Sequence, residues 1–172
     1  QFKTYAEELK WLTTDKVRMS WVAKTIKDIS TSGNTLILVD RISAGEILQE
    51  QIEDAVFVSG STKNVDRKEQ YDEVSTATNK VIIATYGVAS VGINIPRIFN
   101  LVLIEPGKSF VRVIQSIGRG IRKAEDKENV QIWDITSSCK FAKRHLGARK
   151  KFYKEANYPY TIEKINYENP YT

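Results

Sequence analysis

One cysteine, Cys139, and one histidine, His145, stand among the 172 residues of this chain. A lone thiol cannot close an internal disulfide, and with a single imidazole it falls short of the four ligands of a structural zinc site. Both absences fit a reducing, cytoplasmic setting. Long hydrophobic runs are missing as well. The cleanest, Leu36 to Val39 and Leu101 to Ile104, are far shorter than the roughly 20 apolar residues of a membrane helix. The first residues, Gln1-Phe2-Lys3-Thr4, carry neither the basic start nor the apolar stretch of a secretory signal. A complete phosphate loop is also absent. Gly107-Lys108-Ser109 has the right ending, but Val102 occupies the place of the first glycine, inside an apolar run. Gly118 and Gly120 follow a helical pattern and have no third glycine, which excludes a dinucleotide fingerprint.

What is present describes one domain. The chain is 41% hydrophobic and 27% charged, enough apolar material for a single core. Lys and Arg number 26 against 21 Asp and Glu, a net charge of +5 that favours a polyanionic partner. Apolar runs rich in Val and Ile cover Thr35 to Val39, Ala55 to Ser59, Lys80 to Thr85, Asn100 to Glu105 and Val130 to Ile135. Helical patterns separate them, the signature of an α/β fold with a doubly wound parallel sheet. Continuous runs predict strands buried on both faces. Asp15 is placed to cap a helix carrying Val22, Ile26 and Ile29, which Gly33-Asn34 ends, and Ser43 with Glu46 reads as a capping box. Asn64 to Val74 reads as a charged surface helix, and Tyr160 to Ile165 as a short closing strand. Lys140 to Lys154 predicts a basic helix anchored by Phe141, Leu146, Phe152 and Tyr153. The aromatics Phe152, Tyr153, Tyr158 and Tyr160 suit core anchoring or stacking on bases.

The segment Ser109 to Arg122 is the most informative. Phe110, Val113, Ile114, Ile117 and Ile121 fall on one side at helical spacing, and Arg112, Gln115, Arg119 and Arg122 on the other. Gln115-x-x-Gly118-Arg119-x-x-Arg122 resembles motif VI of superfamily two helicases. Companions stand upstream in order. Ala84-Thr85 through Gly92-Ile93-Asn94-Ile95-Pro96 resembles motif V, Leu36 to Asp40 the strand of motif IV, and Val58-Ser59-Gly60 with Arg67 the motif between them. The resemblance covers roughly residues 15–137. Asn94 stands where the family commonly has Asp, and Gln115 where DEAD-box proteins have His, which points away from that branch.

The resemblance implies a three-layer RecA-like domain, a mostly parallel sheet flanked by helices, with a basic C-terminal helical extension. Residues 1–14 would be a linker from a missing N-terminal motor domain, 15–137 the second RecA-like domain, and 138–172 a basic helix and short strand completing it. Neither a complete phosphate loop nor an Asp-Glu-x-Asp or Asp-Glu-x-His box after a strand is present, so the resemblance implies that ATP and Mg2+ would be held mainly by that first RecA-like domain of the same polypeptide. The implied activity is ATP-dependent unwinding of branched DNA or RNA–DNA hybrids in recombination, repair and replication, with this chain alone inactive. Arg119 and Arg122 would be the arginine fingers, oriented by Gln115, and Gly92 and Asn94 would touch nucleotide. Thr85, Gly60 and Arg67 would contact the tracked strand, and Lys143, Arg144, Lys150 and Lys151 duplex phosphates. Two other readings stand beside this one. The first is a non-catalytic nucleic-acid-binding module with a helicase-like fold. The second is a small-molecule α/β enzyme using Glu105, beside Pro106 and Gly107, as its acid or base.

Overall fold

The computed structural model describes residues 2–60, 68, 69, 73, 77–91, 97–107, 110–120 and 130–166, with 116–120 described in their backbone alone. Five parallel strands, β1 (Thr35–Val39), β2 (Val56–Val58), β3 (Val81–Thr85), β4 (Asn100–Ile104) and β5 (Gln131–Ile135), pair in the order β2-β3-β1-β4-β5. From β1 the chain runs outward to β2 and then returns through β3, β4 and β5. The helix after β1 therefore covers one face and the helices after β3 and β4 cover the other, and the winding direction switches beside β1. Open α/β sheets bind ligands at the C-terminal strand ends beside such a reversal.

Strand alternation divides the core. Leu36 and Leu38 of β1, Ile82 and Ala84 of β3 and Leu101 and Leu103 of β4 face one way. They pack against α4 (Tyr86–Ser90), α5 (Phe110–Gly120) and Tyr153 of α6 (Lys140–Glu155). Ile37, Val39, Ile83, Val102 and Ile104 face the other way, onto α2 (Lys16–Ser30) and α3 (Ile42–Gln51). This is the three-layer arrangement. Burial on both faces holds throughout β1 and β4 and fails at β5, where exposure alternates. As an edge strand, β5 leaves Trp133 38% exposed, with its indole N–H donating to Asn100 Oδ1 at 3.1 Å.

Local chemistry explains the element ends. Asp15 caps α2 as its sequence position suggests, accepting the Arg18 N–H at 3.0 Å. Gly33 turns the chain into β1 at φ +151°, where a side chain would be strained and an added Cβ would lie 2.8 Å from the Phe99 ring. The capping box does not form. α3 begins at Ile42 with Arg41 in the cap position and no side-chain cap bond, so Ser43 already lies inside the helix. Residues 160–165 are not a strand: they are exposed and carry no regular structure, because the sheet ends at β5 without reaching them. Asn64 to Val74 lies outside the described residues apart from 68, 69 and 73, which are helical.

Residues 1–14 are more than a connection. Thr4 caps α1 (Tyr5–Thr14) by accepting the Glu7 N–H at 3.2 Å, and Leu12 is buried. Glu8, 1% exposed, accepts the N–H groups of Phe141 and Ala142 at 2.9 and 2.8 Å. Cys139, at the cap position of α6, makes no side-chain cap bond. Glu8 therefore supplies the missing cap from the other end of the chain, a carboxylate on the positive end of a helix.

Candidate functional site

The C-terminal ends of β2, β3 and β1 stand side by side. Val58 pairs with Ala84 and Val39 with Thr85, so Gly60, Thr85 and Asp40 emerge along one edge from strands about 4.8 Å apart. Thr85 caps α4, its Oγ1 accepting the Val88 N–H at 3.3 Å. A hydroxyl that accepts in this way still has its proton to donate, which suits a phosphate oxygen. Gly60 is exposed, and an added Cβ there meets none of the described residues within 4 Å. Its φ is outside the left-handed region, so its backbone conformation does not demand glycine.

α4 and α5 share one core through Val88, Ala89, Phe110, Val113 and Ile114, which couples the Thr85 turn to the helix bearing Gln115. The Tyr86 hydroxyl donates to the Ile104 carbonyl at 2.9 Å and pins the same turn to the end of β4. Burial holds that phenol well above its ordinary pKa. Gln115 is exposed on α5, with Arg112 exposed one turn earlier. The helix continues through Gly118 to Gly120, so position 119 follows Gln115 by one turn on the same face. The Arg119 side chain lies outside the described residues, as do Gly92, Asn94, Arg67 and Arg122.

The other half of the sheet edge is filled by ion pairs. Arg18 Nη2 lies 2.6 Å from Glu105 Oε1, with the two side chains 1% and 4% exposed. Arg18 also donates to the Leu12 carbonyl, and Thr136 Oγ1 donates to Glu105 Oε2 at 2.9 Å. Burial pushes the Glu105 carboxyl up to about 7, with Arg18 and Thr136 pulling against it. Both its oxygens are engaged and the side chain is almost fully buried, so Glu105 ties α2 and the residue after β5 to the end of β4. Gly107 packs under Tyr5, whose hydroxyl would lie 2.9 Å from an added Cβ. It serves a helix contact, and Lys108 and Ser109 lie outside the described residues. Asp40 differs. Its Oδ2 accepts from the Arg41 Nε at 2.8 Å, while its buried Oδ1 has no hydrogen-bond partner among the described residues.

On α6, Lys143, Arg144 and Lys151 are exposed and Lys150 is half-buried. Lys140 and Arg144 flank the Phe141 ring at 5.2 and 5.5 Å. Arg149 is not part of this basic surface. At 1% exposure it forks onto Asp134 at 2.7 and 2.9 Å and donates to the Pro106 carbonyl at 2.8 Å. The inward stripe is Ala142, His145, Arg149 and Tyr153, spaced by three and four. His145 packs edge-on against Tyr5 at 4.6 Å. Among the described residues, no cluster of three His, Cys, Asp or Glu side chains could hold a metal ion, and no helix is long and apolar enough to cross a membrane.

Residues 18–124, more than half of the chain, match the helicase conserved C-terminal domain. The chain belongs to that family. ATP-dependent DNA helicase uvsW of Enterobacteria phage T4 is 29% identical over 180 aligned residues, covering 96% of this chain and 36% of that protein. The chain thus spans little more than a third of that curated relative. The crystal structure of T4 UvsW superposes with a TM-score of 0.81 at 21% identity, over 97% of this chain and 38% of that one. The C-terminal domain of the DEAD-box protein Dbp5 superposes at 0.59 and 18% identity, over 77% and 78%. This is a RecA-like helicase C-terminal domain, and its Thr85 turn and its α5 carry residues whose sequence resembles motifs V and VI.

Proposed function

We propose that this helicase C-terminal domain is the second motor domain of an ATP-dependent DNA helicase that acts on branched DNA or RNA–DNA hybrids in recombination, repair and replication. The observation that carries the reading is the shared core of α4 and α5, which joins the Thr85 turn to the Gln115 helix at the C-terminal sheet edge. In this account ATP and Mg2+ sit mainly on an N-terminal RecA-like domain of the same polypeptide, in the host cytoplasm if the chain is phage-encoded. Closure of the cleft brings Arg119 and Arg122 to the γ-phosphate, with Gln115 orienting them and Gly92 and Asn94 coupled to the nucleotide. A guanidinium suits the task because it stays charged and forks onto two oxygens.

The same closure shifts Thr85, Gly60 and Arg67 along the sugar–phosphate backbone, and hydrolysis releases the grip. Lys143, Arg144, Lys150 and Lys151 add contacts to duplex phosphates that salt weakens steeply. Thr85→Asp tests the grip directly in the two-domain protein. Aspartate keeps the α4 cap acceptor but removes the donor and adds a charge that repels phosphate. DNA affinity with a non-hydrolysable ATP analogue, read by fluorescence anisotropy, is expected to fall about tenfold or more, while Thr85→Ser stays near wild type. Equal affinities for the two variants would remove Thr85 from the interface.

A further inference from the structure

The aromatic residues around the end of α6 divide into two sets. Tyr153 is buried at 7% exposure and its hydroxyl donates to Asp134 Oδ2 at 2.7 Å. Phe152 is half-buried, edge-on to Phe110 at 5.2 Å. Tyr158 and Tyr160, in contrast, are 41% and 47% exposed. A specific turn places Tyr158. Asn157 adopts the left-handed conformation at φ +59°, the Tyr158 N–H donates to the Tyr153 carbonyl at 2.8 Å, and the Asn157 N–H to the Lys154 carbonyl at 3.2 Å. This is a Schellman ending, which folds the residue after the turn back onto the helix. Tyr158 therefore lies nearly parallel to Tyr153 at 6.4 Å and edge-on to Phe152 at 6.0 Å, and Tyr160 leans on Tyr153 at 5.9 Å.

Between these rings opens a cleft of about 390 Å³ lined by Tyr153, Lys154, Asn157, Tyr158, Pro159 and Tyr160. It offers two partly exposed phenol rings, Tyr158 held by the turn and Tyr160 leaning on Tyr153, with an amide that is both donor and acceptor and an ammonium at the rim. We infer that the end of α6 is a stacking site for the bases of single-stranded nucleic acid, with Tyr158 and Tyr160 as the platform and Lys154 on a neighbouring phosphate. Every base has an apolar face, so such a platform binds without regard to sequence. Charge favours this ligand over a peptide. Lys154 is the one charged side chain that lines the cleft, and along residues 150–166 Lys150, Lys151, Lys154 and Lys164 outnumber Glu155 and Glu163. The inference rests on the reading of α6 as a nucleic-acid-facing helix and adds to it a preference for unpaired strand.

Binding of the 172-residue chain to a fluorescein-labelled oligothymidylate, to the same strand made abasic, and to a blunt duplex tests the inference. Tyr158→Ala with Tyr160→Ala is expected to weaken oligothymidylate binding about tenfold or more and to leave duplex binding within about twofold, since no phosphate contact is lost. Tyr158→Phe with Tyr160→Phe keeps the rings and retains affinity. Tyr160→Ala alone, outside the helix and its turn, shows about a fivefold loss and guards against a folding defect. The wild-type chain prefers the strand with bases to the abasic strand. No preference for bases, an equal loss on duplex, or a phenylalanine pair as weak as the alanine pair would overturn the site. So would a proline-rich peptide that fills the cleft while oligothymidylate does not. Tyrosine-dependent binding that ignores alanine at Lys143, Arg144, Lys150 and Lys151 would support the stacking site and refute the phosphate role of α6.

Discussion

An Arg122→Ala protein that retains both motor domains is expected to lose ATP turnover by about 10³-fold or more while its affinity for ATP changes little. The reason is where charge develops. In phosphoryl transfer the transferred group spreads negative charge over its oxygens in the transition state, so a cation reaching it from the opposite domain acts mainly on the rate. Arg122→Lys should rescue little, because an ammonium cannot reproduce the fork of a guanidinium. Single-turnover hydrolysis gives the rate, and titration with a fluorescent ATP analogue gives the affinity. Turnover near wild type would take Arg122 out of the active site. An equal loss in affinity and rate would make it a ground-state contact instead.

Removing the buried partner of Glu105 should have the second-largest effect, this time on stability. Arg18→Met leaves a carboxylate at 4% exposure without its cation, and breaking such a pair from one side costs about 3–5 kcal/mol. The cost depends on pH. Burial already raises the Glu105 carboxyl from 4.5 to about 7, so its contribution to stability is complete below about pH 4.5 and is lost as pH rises through about 7. Without Arg18 the pull toward the charged form is gone and the carboxyl rises further, so the variant falls behind the wild type by more at pH 8 than at pH 6. Urea midpoints at the two pH values measure this. Arg18→Met with Glu105→Gln should recover part of the loss at pH 8. A deficit that is the same at both pH values would mean that Glu105 is not the titrating group.

Residues whose roles are set by neighbours in sequence were legible before the structure. The five strand runs, the Asp15 cap and the amphipathic pattern from Phe110 onward all depend on local spacing, and the strands and helices stand where that spacing puts them. The motif order also gave the family. What was not legible depends on contacts across the chain. Nothing near Glu8 announces that it caps a helix starting at Lys140, nor that α1 packs into the body rather than merely leading to it. Arg18 finds Glu105 only because α2 and β4 are layered together. Arg149 reads as one more cation in a basic stretch until Asp134 is placed beneath it. Tyr160 to Ile165 reads as a closing strand, but such a segment makes a strand only where a sheet edge is within reach, and residues 160–165 carry no regular structure. Ser43 and Glu46 have capping-box spacing, yet α3 starts directly at the end of β1 and leaves them inside the helix.

The claim that this domain supplies arginines to an ATP site completed elsewhere is tested most directly by steady-state ATP hydrolysis of the 172-residue chain, with and without branched DNA. The account predicts no turnover from the chain alone in either case, and DNA-stimulated turnover once the Walker-bearing first domain is supplied. Robust hydrolysis by the purified chain on its own would contradict it.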